Sequence, residues 1–191
     1  MRDHGMPHRQ VVVHCMPGTP LQKTAKAPLS IPRRRCNRRR MTSPPGHRSL
    51  RAGRISLPGH IYLLTTVTAY RRPLFKNSEL ARAACRSIHE QENWGDASLL
   101  CWVLMPDHWH GLVQLGHCDS LPMVMNRFKA AVARQLNCTR TAVVWGRGYH
   151  DRALRHQDDI RTVARYIVAN PLRAGLVDSV LDYPYWNCIW L

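Results

Sequence analysis

Two histidines one residue apart, His108 and His110, flank Trp109 and are the residues of this chain whose spacing best suits chemistry. On a β-strand, residues i and i+2 point to the same face. The two imidazoles would then stand side by side, spaced for one divalent cation. Trp109 would face the opposite side and anchor the strand. Two imidazoles leave the usual divalent cations short of ligands, so a third donor must come from elsewhere. The plainer alternative is a pair of surface histidines with satisfied hydrogen bonds.

The second candidate is a helical segment from Asp158 to Asn170. Ile160, Val163, Ala164 and Ile167 recur at the spacing of one apolar face. Asp158, Thr162, Tyr166 and Asn170 follow each other at intervals of four and form a polar stripe along its edge. Tyr166 is thereby half in and half out, with its hydroxyl free to meet a cleft. Ordinary packing at a core edge is the plain alternative for such a tyrosine. Asn170 lies one turn further on, and its amide oxygen can serve as the missing metal ligand. Because it precedes Pro171, helical backbone is disfavoured there.

Together these parts suggest a reaction. A phenol is a poor nucleophile at its free pKa of ~10. It becomes competent when a metal polarises a phosphodiester and stabilises the developing charge. Attack on phosphorus would leave a phosphotyrosine and one free DNA end, and that link would allow rejoining without ATP. Further candidates are basic. Arg127, Lys129 and Arg134 occupy one helix, where they could hold phosphates or form a solvated face. Arg147, Arg152 and Arg155 flank a glycine-containing loop where a DNA strand could thread. His150 and Asp151 read as fixing that loop, with proton transfer as the other reading. Trp102, Trp145 and Trp186 could stack on bases, but core packing explains them more simply.

The segments MPDHWHGLV (105–113), WGRGYHDRALR (145–155) and YIVANPLRAGLV (166–177) resemble the REP-associated tyrosine transposases, a branch of the HUH single-tyrosine transposases of bacterial insertion sequences. LPGHIYLLTTVTAYRRPLF (57–75) is similar to the first strand and following turn of that family. The resemblance spans about residues 50–191 with the motifs in the same order. It implies a ferredoxin-like α+β fold, a Mg²⁺ or Mn²⁺ cofactor, and hairpin-forming single-stranded DNA, of the palindromic-repeat kind, as partner. It places the paired metal ligands on His108 and His110, the nucleophile on Tyr166, the polar residue one turn later on Asn170, and a frequent basic position on Lys129. Monomer and homodimer both occur among such proteins.

Several elements must position these residues. His60 to Thr68 alternates and is rich in β-formers, which predicts a strand. Asn77 or Ser78 caps a helix expected to run to about Glu92. Residues 98–104 read as a buried strand, broken by Met105-Pro106-Asp107, and His108 to Leu115 as its hairpin partner. Ser120 is expected to cap a helix carrying Leu121, Val124, Met125, Phe128, Val132 and Leu136 at helical spacing. Residues 144–155 form a loop with a short strand. A third helix starts at Asp158 or Asp159 and is expected to end at Pro171, Gly175 marks a further stop, and residues 183–186 pack on the body. This order predicts a ferredoxin-like α+β sandwich, an antiparallel sheet with helices on one face, plus an extra C-terminal helix carrying the tyrosine.

Composition sets the context. The 191 residues carry a formal charge of +16, which for a soluble chain points to a polyanionic partner, nucleic acid first. Residues 1–46 hold ten Lys and Arg against Asp3 alone, with seven of the 13 prolines. They read as a disordered basic extension, either a start upstream of Met41 or an arm for the phosphate backbone. Residues 47–191 read as one transposase domain. The seven cysteines, odd in number and without a CxxC pair, argue against a disulfide framework and a zinc ribbon. No apolar run reaches membrane-spanning length and no secretory signal is evident, so a bacterial cytoplasmic location, on the nucleoid when DNA is bound, is expected. Two other functions compete with the transposase. A binding module of the same fold that grips structured single-stranded DNA or RNA without cutting explains the charge equally well, but needs neither histidine pair nor tyrosine. A water-using metal nuclease leaves Tyr166 without a role.

Overall fold

In a computed structural model, residues 56–136, 143–155 and 159–190 are described. The expected extension at 1–46, Asp158 of the polar stripe and Cys138 lie outside them.

Strand β1 (Ile61–Val67) leads into helix α1 (Ser78–His89). Strands β2 (Ser98–Met105) and β3 (His108–Gln114) form a hairpin, followed by α2 (Leu121–Gln135) and β4 (His150–Ala153). Helices α3 (Ile160–Val168) and α4 (Asn170–Arg173) precede β5 (Trp186–Cys188). The sheet order is β4-β1-β3-β2-β5, and each pairing is antiparallel. Its first four strands have the order of a split β-α-β pair, which is the ferredoxin-like arrangement the sequence predicts.

Alternation along the strands divides the core in two. Tyr62, Leu64, Trp102, Leu104, Trp109 and Val113 face α1 and α2. Trp109 is fully buried there, with ring centroids 4.7 Å from Phe128 and 5.8 Å from Trp94. Gly111 makes this possible, because a Cβ at that position would lie 2.3 Å from the Trp109 ring. The opposite face, with Cys101, Val103, Met105 and Leu112, packs against Ala164, Ile167 and Val168 of α3. The extra helix therefore covers the side of the sheet that α1 and α2 leave open.

The boundaries differ from the sequence expectations at identifiable points. Helix α1 stops at His89, and residues 91–93 form a separate 3-10 turn. Asn77 caps α1 through its side chain, which accepts from the Glu79 and Leu80 amides. Ser120 holds the N-cap position of α2 without a side-chain bond, and Ser56 Oγ accepts the Leu121 amide instead. Asp159 caps α3 by accepting from the Arg161 amide. Pro171 does not terminate α3, which ends at Val168; the proline lies in the first turn of α4, where its missing N–H costs nothing. The tail does pack on the body and adds a strand that the sequence did not announce. Tyr183 donates its hydroxyl proton to the Leu104 carbonyl at 2.7 Å, and β5 pairs with the outer edge of β2. Among the described residues no helix is long and apolar enough to cross a membrane.

Candidate active site

β3 begins with the histidine pair, and its register places them. His108 lies opposite Val67 of β1 and Met105 of β2; His110 lies opposite Thr65 and Val103. Directly paired residues share a face, so both imidazoles stand on the side of the sheet covered by α3. Met105 and Val103 are themselves part of the core under α3. The two rings are 4.7 Å apart at their centroids and nearly perpendicular, at 85°.

Each ring has its Nδ1 engaged. His108 Nδ1 lies 2.5 Å from Asp107 Oδ1, and His110 Nδ1 lies 2.7 Å from Thr65 Oγ1. A neutral imidazole that donates from Nδ1 keeps the Nε2 lone pair for a metal. Burial first, then the neighbouring His108, push the pKa of His110 down to about 4, with Asp107 partly opposing. His110 is therefore neutral at pH 7, as a metal ligand must be. Burial pulls the Asp107 carboxyl upward, but the bonds and charges of His108 and Arg71 outweigh it and hold the group below its usual value. These features fit a divalent cation on two nitrogens. Among the described residues no cluster of three or more His, Cys, Asp or Glu is arranged to hold a metal.

Tyr166 sits on α3, 50% exposed. The Arg173 guanidinium lies 4.3 Å from its ring centroid, in cation–π contact. Thr162, one turn earlier, is exposed and bonded to Asp159. Asn170 is half-buried at the start of α4. Its Nδ2 donates to the carbonyls of Tyr166 at 3.1 Å and Ile167 at 2.9 Å, which ties it to the end of α3. With the amide nitrogen turned to the helix, Oδ1 points away from it.

The basic candidates separate into two groups. Arg127 donates to Asp119 Oδ2 at 2.8 Å, and that bond raises its pKa. Lys129 Nζ donates to the carbonyls of Gly146 at 2.8 Å and Gly148 at 2.6 Å, and burial lowers its pKa. Both are thus committed to protein contacts. Arg134, Arg147, Arg152 and Arg155 are exposed. Arg152 and His150 pair with Leu63 and Thr65, so they project from the sheet edge on the histidine face. Asp151 pairs with Leu64 and faces the other way. Trp102 and Trp145 are buried in the core, and Trp186 is half-buried with its indole N–H donated to the Val180 carbonyl.

Three residues of the site escape sequence reasoning: Asp107, Arg71 and Thr65. Asp107 has a visible signal, a carboxylate immediately before the histidine pair. Arg71 and Thr65 come from β1 and the turn after it, and only the strand register reveals them.

Residues 56–170 match the family model described as "Transposase IS200 like". A Haemophilus influenzae protein provisionally named a REP-associated tyrosine transposase is 30% identical over 94 residues, 43% of this chain and 53% of its own length. The REP-associated tyrosine transposase of Escherichia coli K12 is 26% identical over 84 residues, 44% of this chain and 50% of its own. The chain thus spans about half the length of these curated relatives. A REP-associated tyrosine transposase solved with a REP hairpin superposes with a TM-score of 0.57 at 21% identity, over 70% of this chain and 79% of that one. At that identity the likeness concerns the fold.

Proposed function

The chain belongs to the IS200-like transposase family, and from that premise we propose that it cuts and rejoins single-stranded, hairpin-forming DNA through a covalent bond to Tyr166. One observation carries the reading: His108 and His110, each with Nδ1 held and Nε2 left over, lie on the sheet face covered by the helix that bears Tyr166.

In this reading the Tyr166 oxygen attacks phosphorus, the bridging P–O bond breaks, and a DNA hydroxyl end leaves. The phenolic proton passes to solvent, which reaches the half-exposed ring, and the leaving DNA oxygen takes a proton from solvent to become the hydroxyl end. Arg173 holds the ring by its face and puts a positive charge beside the arriving phosphate. A Mg²⁺ or Mn²⁺ ion, held by His108 and His110 Nε2 with Asn170 Oδ1 as third protein ligand, would polarise the phosphodiester and offset charge on its oxygens. The reverse attack by a DNA hydroxyl end restores the phosphodiester and frees Tyr166. Exposed Arg134, Arg147, Arg152 and Arg155 supply phosphate contacts, and the partner is a palindromic hairpin of the kind bound by the solved relative. The setting is the bacterial cytoplasm, where such DNA is encountered.

The test uses the full chain, a labelled single-stranded hairpin and Mn²⁺. A protein–DNA adduct that survives denaturing electrophoresis is expected. Tight binding with neither adduct nor cut strand would favour the non-cutting module, and cutting without an adduct would favour a water-using nuclease.

A further inference from the structure

Asp107 and Arg71 belong to neither the histidine pair nor the tyrosine helix, yet they form a continuous chain of contacts ending on His108. Arg71 Nη1 lies 3.1 Å from Asp107 Oδ2, and Asp107 Oδ1 lies 2.5 Å from His108 Nδ1. The backbone around this chain is fixed from several sides. Thr68 directs both its amide, at 2.8 Å, and its hydroxyl, at 3.0 Å, to the Asp107 carbonyl. The Phe75 amide donates to the Pro106 carbonyl at 3.0 Å. The turn between β1 and α1 is thereby sewn onto the turn between β2 and β3.

The delivery of Arg71 requires unusual backbone. Tyr70 and Arg71 have φ of 57° and 50°, both in the left-handed region that non-glycine residues rarely occupy. Consecutive residues persist there only where the surroundings over-determine them. Here the Arg71 amide donates to the Thr68 carbonyl at 3.1 Å, and Arg72 Nη2 donates to the Val143 carbonyl at 2.5 Å. An exposed Arg–Asp pair would by itself mean little. This one ends on a carboxylate already shared with an imidazole.

We propose that Asp107 and Arg71 are positioning residues acting through His108: the Asp107 carboxylate accepts the hydrogen bond of Nδ1–H and so fixes the tautomer that would leave the Nε2 lone pair for a metal, while Arg71 aims the carboxylate. This rests on the reading of His108 as a metal ligand. A neutral imidazole carries one proton over two nitrogens, so an acceptor at Nδ1 decides which nitrogen can ligate. Outer partners of this kind change metal affinity by about 10–100-fold.

The experiment uses the full chain with ¹⁵N-histidine and two readouts. Long-range ¹H–¹⁵N spectra in chelator report the His108 tautomer without metal, and Mn²⁺ titration followed by EPR reports affinity. The wild type should show the Nδ1–H form. Asp107→Ala should shift His108 toward Nε2–H and weaken Mn²⁺ by about 10–100-fold. Asp107→Asn, which keeps an acceptor oxygen and the side-chain shape, should recover part of both. Arg71→Ala should weaken Mn²⁺ severalfold in the wild-type background and have no effect beside Asp107→Ala, with Arg71→Lys intermediate. An unchanged tautomer in both Asp107 variants, with native circular dichroism, overturns the proposal. An equal Arg71 effect in both backgrounds overturns the role of Arg71. Failure of the underlying reading looks different: His108→Ala would then leave Mn²⁺ affinity intact, while the tautomer spectra still decide whether Asp107 sets the imidazole.

Discussion

Thr65 on β1 and His110 on β3 face each other directly across the sheet, with the threonine Oγ1 2.7 Å from Nδ1 of the imidazole. The contact holds the ring in a largely buried position, where burial and the neighbouring His108 lower its pKa from 6.5 to about 4. This has a consequence for stability. Above pH 6.5 the ring is neutral in both folded and unfolded chains and contributes no pH dependence. As pH falls from 6.5 toward 4, the unfolded chain takes up a proton that the folded one refuses, so stability drops, and it levels off below 4. At ~1.4 kcal/mol per pH unit the loss is at most about 3.5 kcal/mol. Urea denaturation between pH 7 and 4 in chelator should show this slope in the wild type and a clearly shallower one in His110→Asn.

The same two histidines should govern cleavage. His108→Ala or His110→Ala should slow cutting by about a thousandfold or more, corresponding to about 4 kcal/mol of transition-state stabilisation. Hairpin affinity should change little, since it comes mainly from basic side chains. Asn170→Ala should be milder, because water can replace a neutral oxygen ligand. Single-turnover cleavage over a Mn²⁺ series measures all three, and metal-independent cutting by the double histidine variant would defeat the assignment.

Lys129 has two of its three donors on the carbonyls of Gly146 and Gly148. Lys129→Met should therefore loosen that loop, destabilising the fold by about 1–2 kcal/mol. The salt dependence of hairpin binding should barely change. Arg147→Ala and Arg152→Ala should each lower the slope of log K against log salt by about 0.7 for single-stranded DNA. A comparable drop in slope for Lys129→Met would instead mark it as a phosphate contact.

The histidine pair is legible because alternation on a strand is a local rule, and so is Trp109, whose apolar bulk must face the core. The α3 face is legible through Ile160, Val163, Ala164 and Ile167, which do pack inward. Thr65 and Arg71 are not, because their partners lie 45 and 36 residues away and only register brings them together. The fifth strand is hidden because Trp186–Cys188 is three residues long and gains its definition from the edge of β2. Pro171 misleads because a proline that ends one helix can equally begin the next. The commitment of Lys129 to two carbonyls depends on where the glycine loop passes, which periodicity does not encode.

The basic segment 1–46 should be dispensable for chemistry. Its proline and charge bias motivates the expectation, together with Met41, which precedes the first foldable segment. A chain beginning at Met41 should cut at the full-length rate when DNA is saturating. A shallower salt slope with weaker binding would show that the segment grips phosphates; loss of cutting at saturation would contradict the expectation.

Tyr166 is expected to carry the DNA. Tyr149, half-buried beside the core at the end of the glycine loop, is the rival. Tyr166→Phe removes one oxygen from a half-exposed ring, so folding and hairpin affinity should survive, and the ring should keep its contact with Arg173. The decisive measurement is a denaturing gel of a labelled single-stranded hairpin incubated with Mn²⁺ and the wild type, Tyr166→Phe or Tyr149→Phe. The wild type and Tyr149→Phe should give an adduct and a cut strand, and Tyr166→Phe neither. An adduct that persists in Tyr166→Phe and vanishes in Tyr149→Phe would move the chemistry to the loop tyrosine.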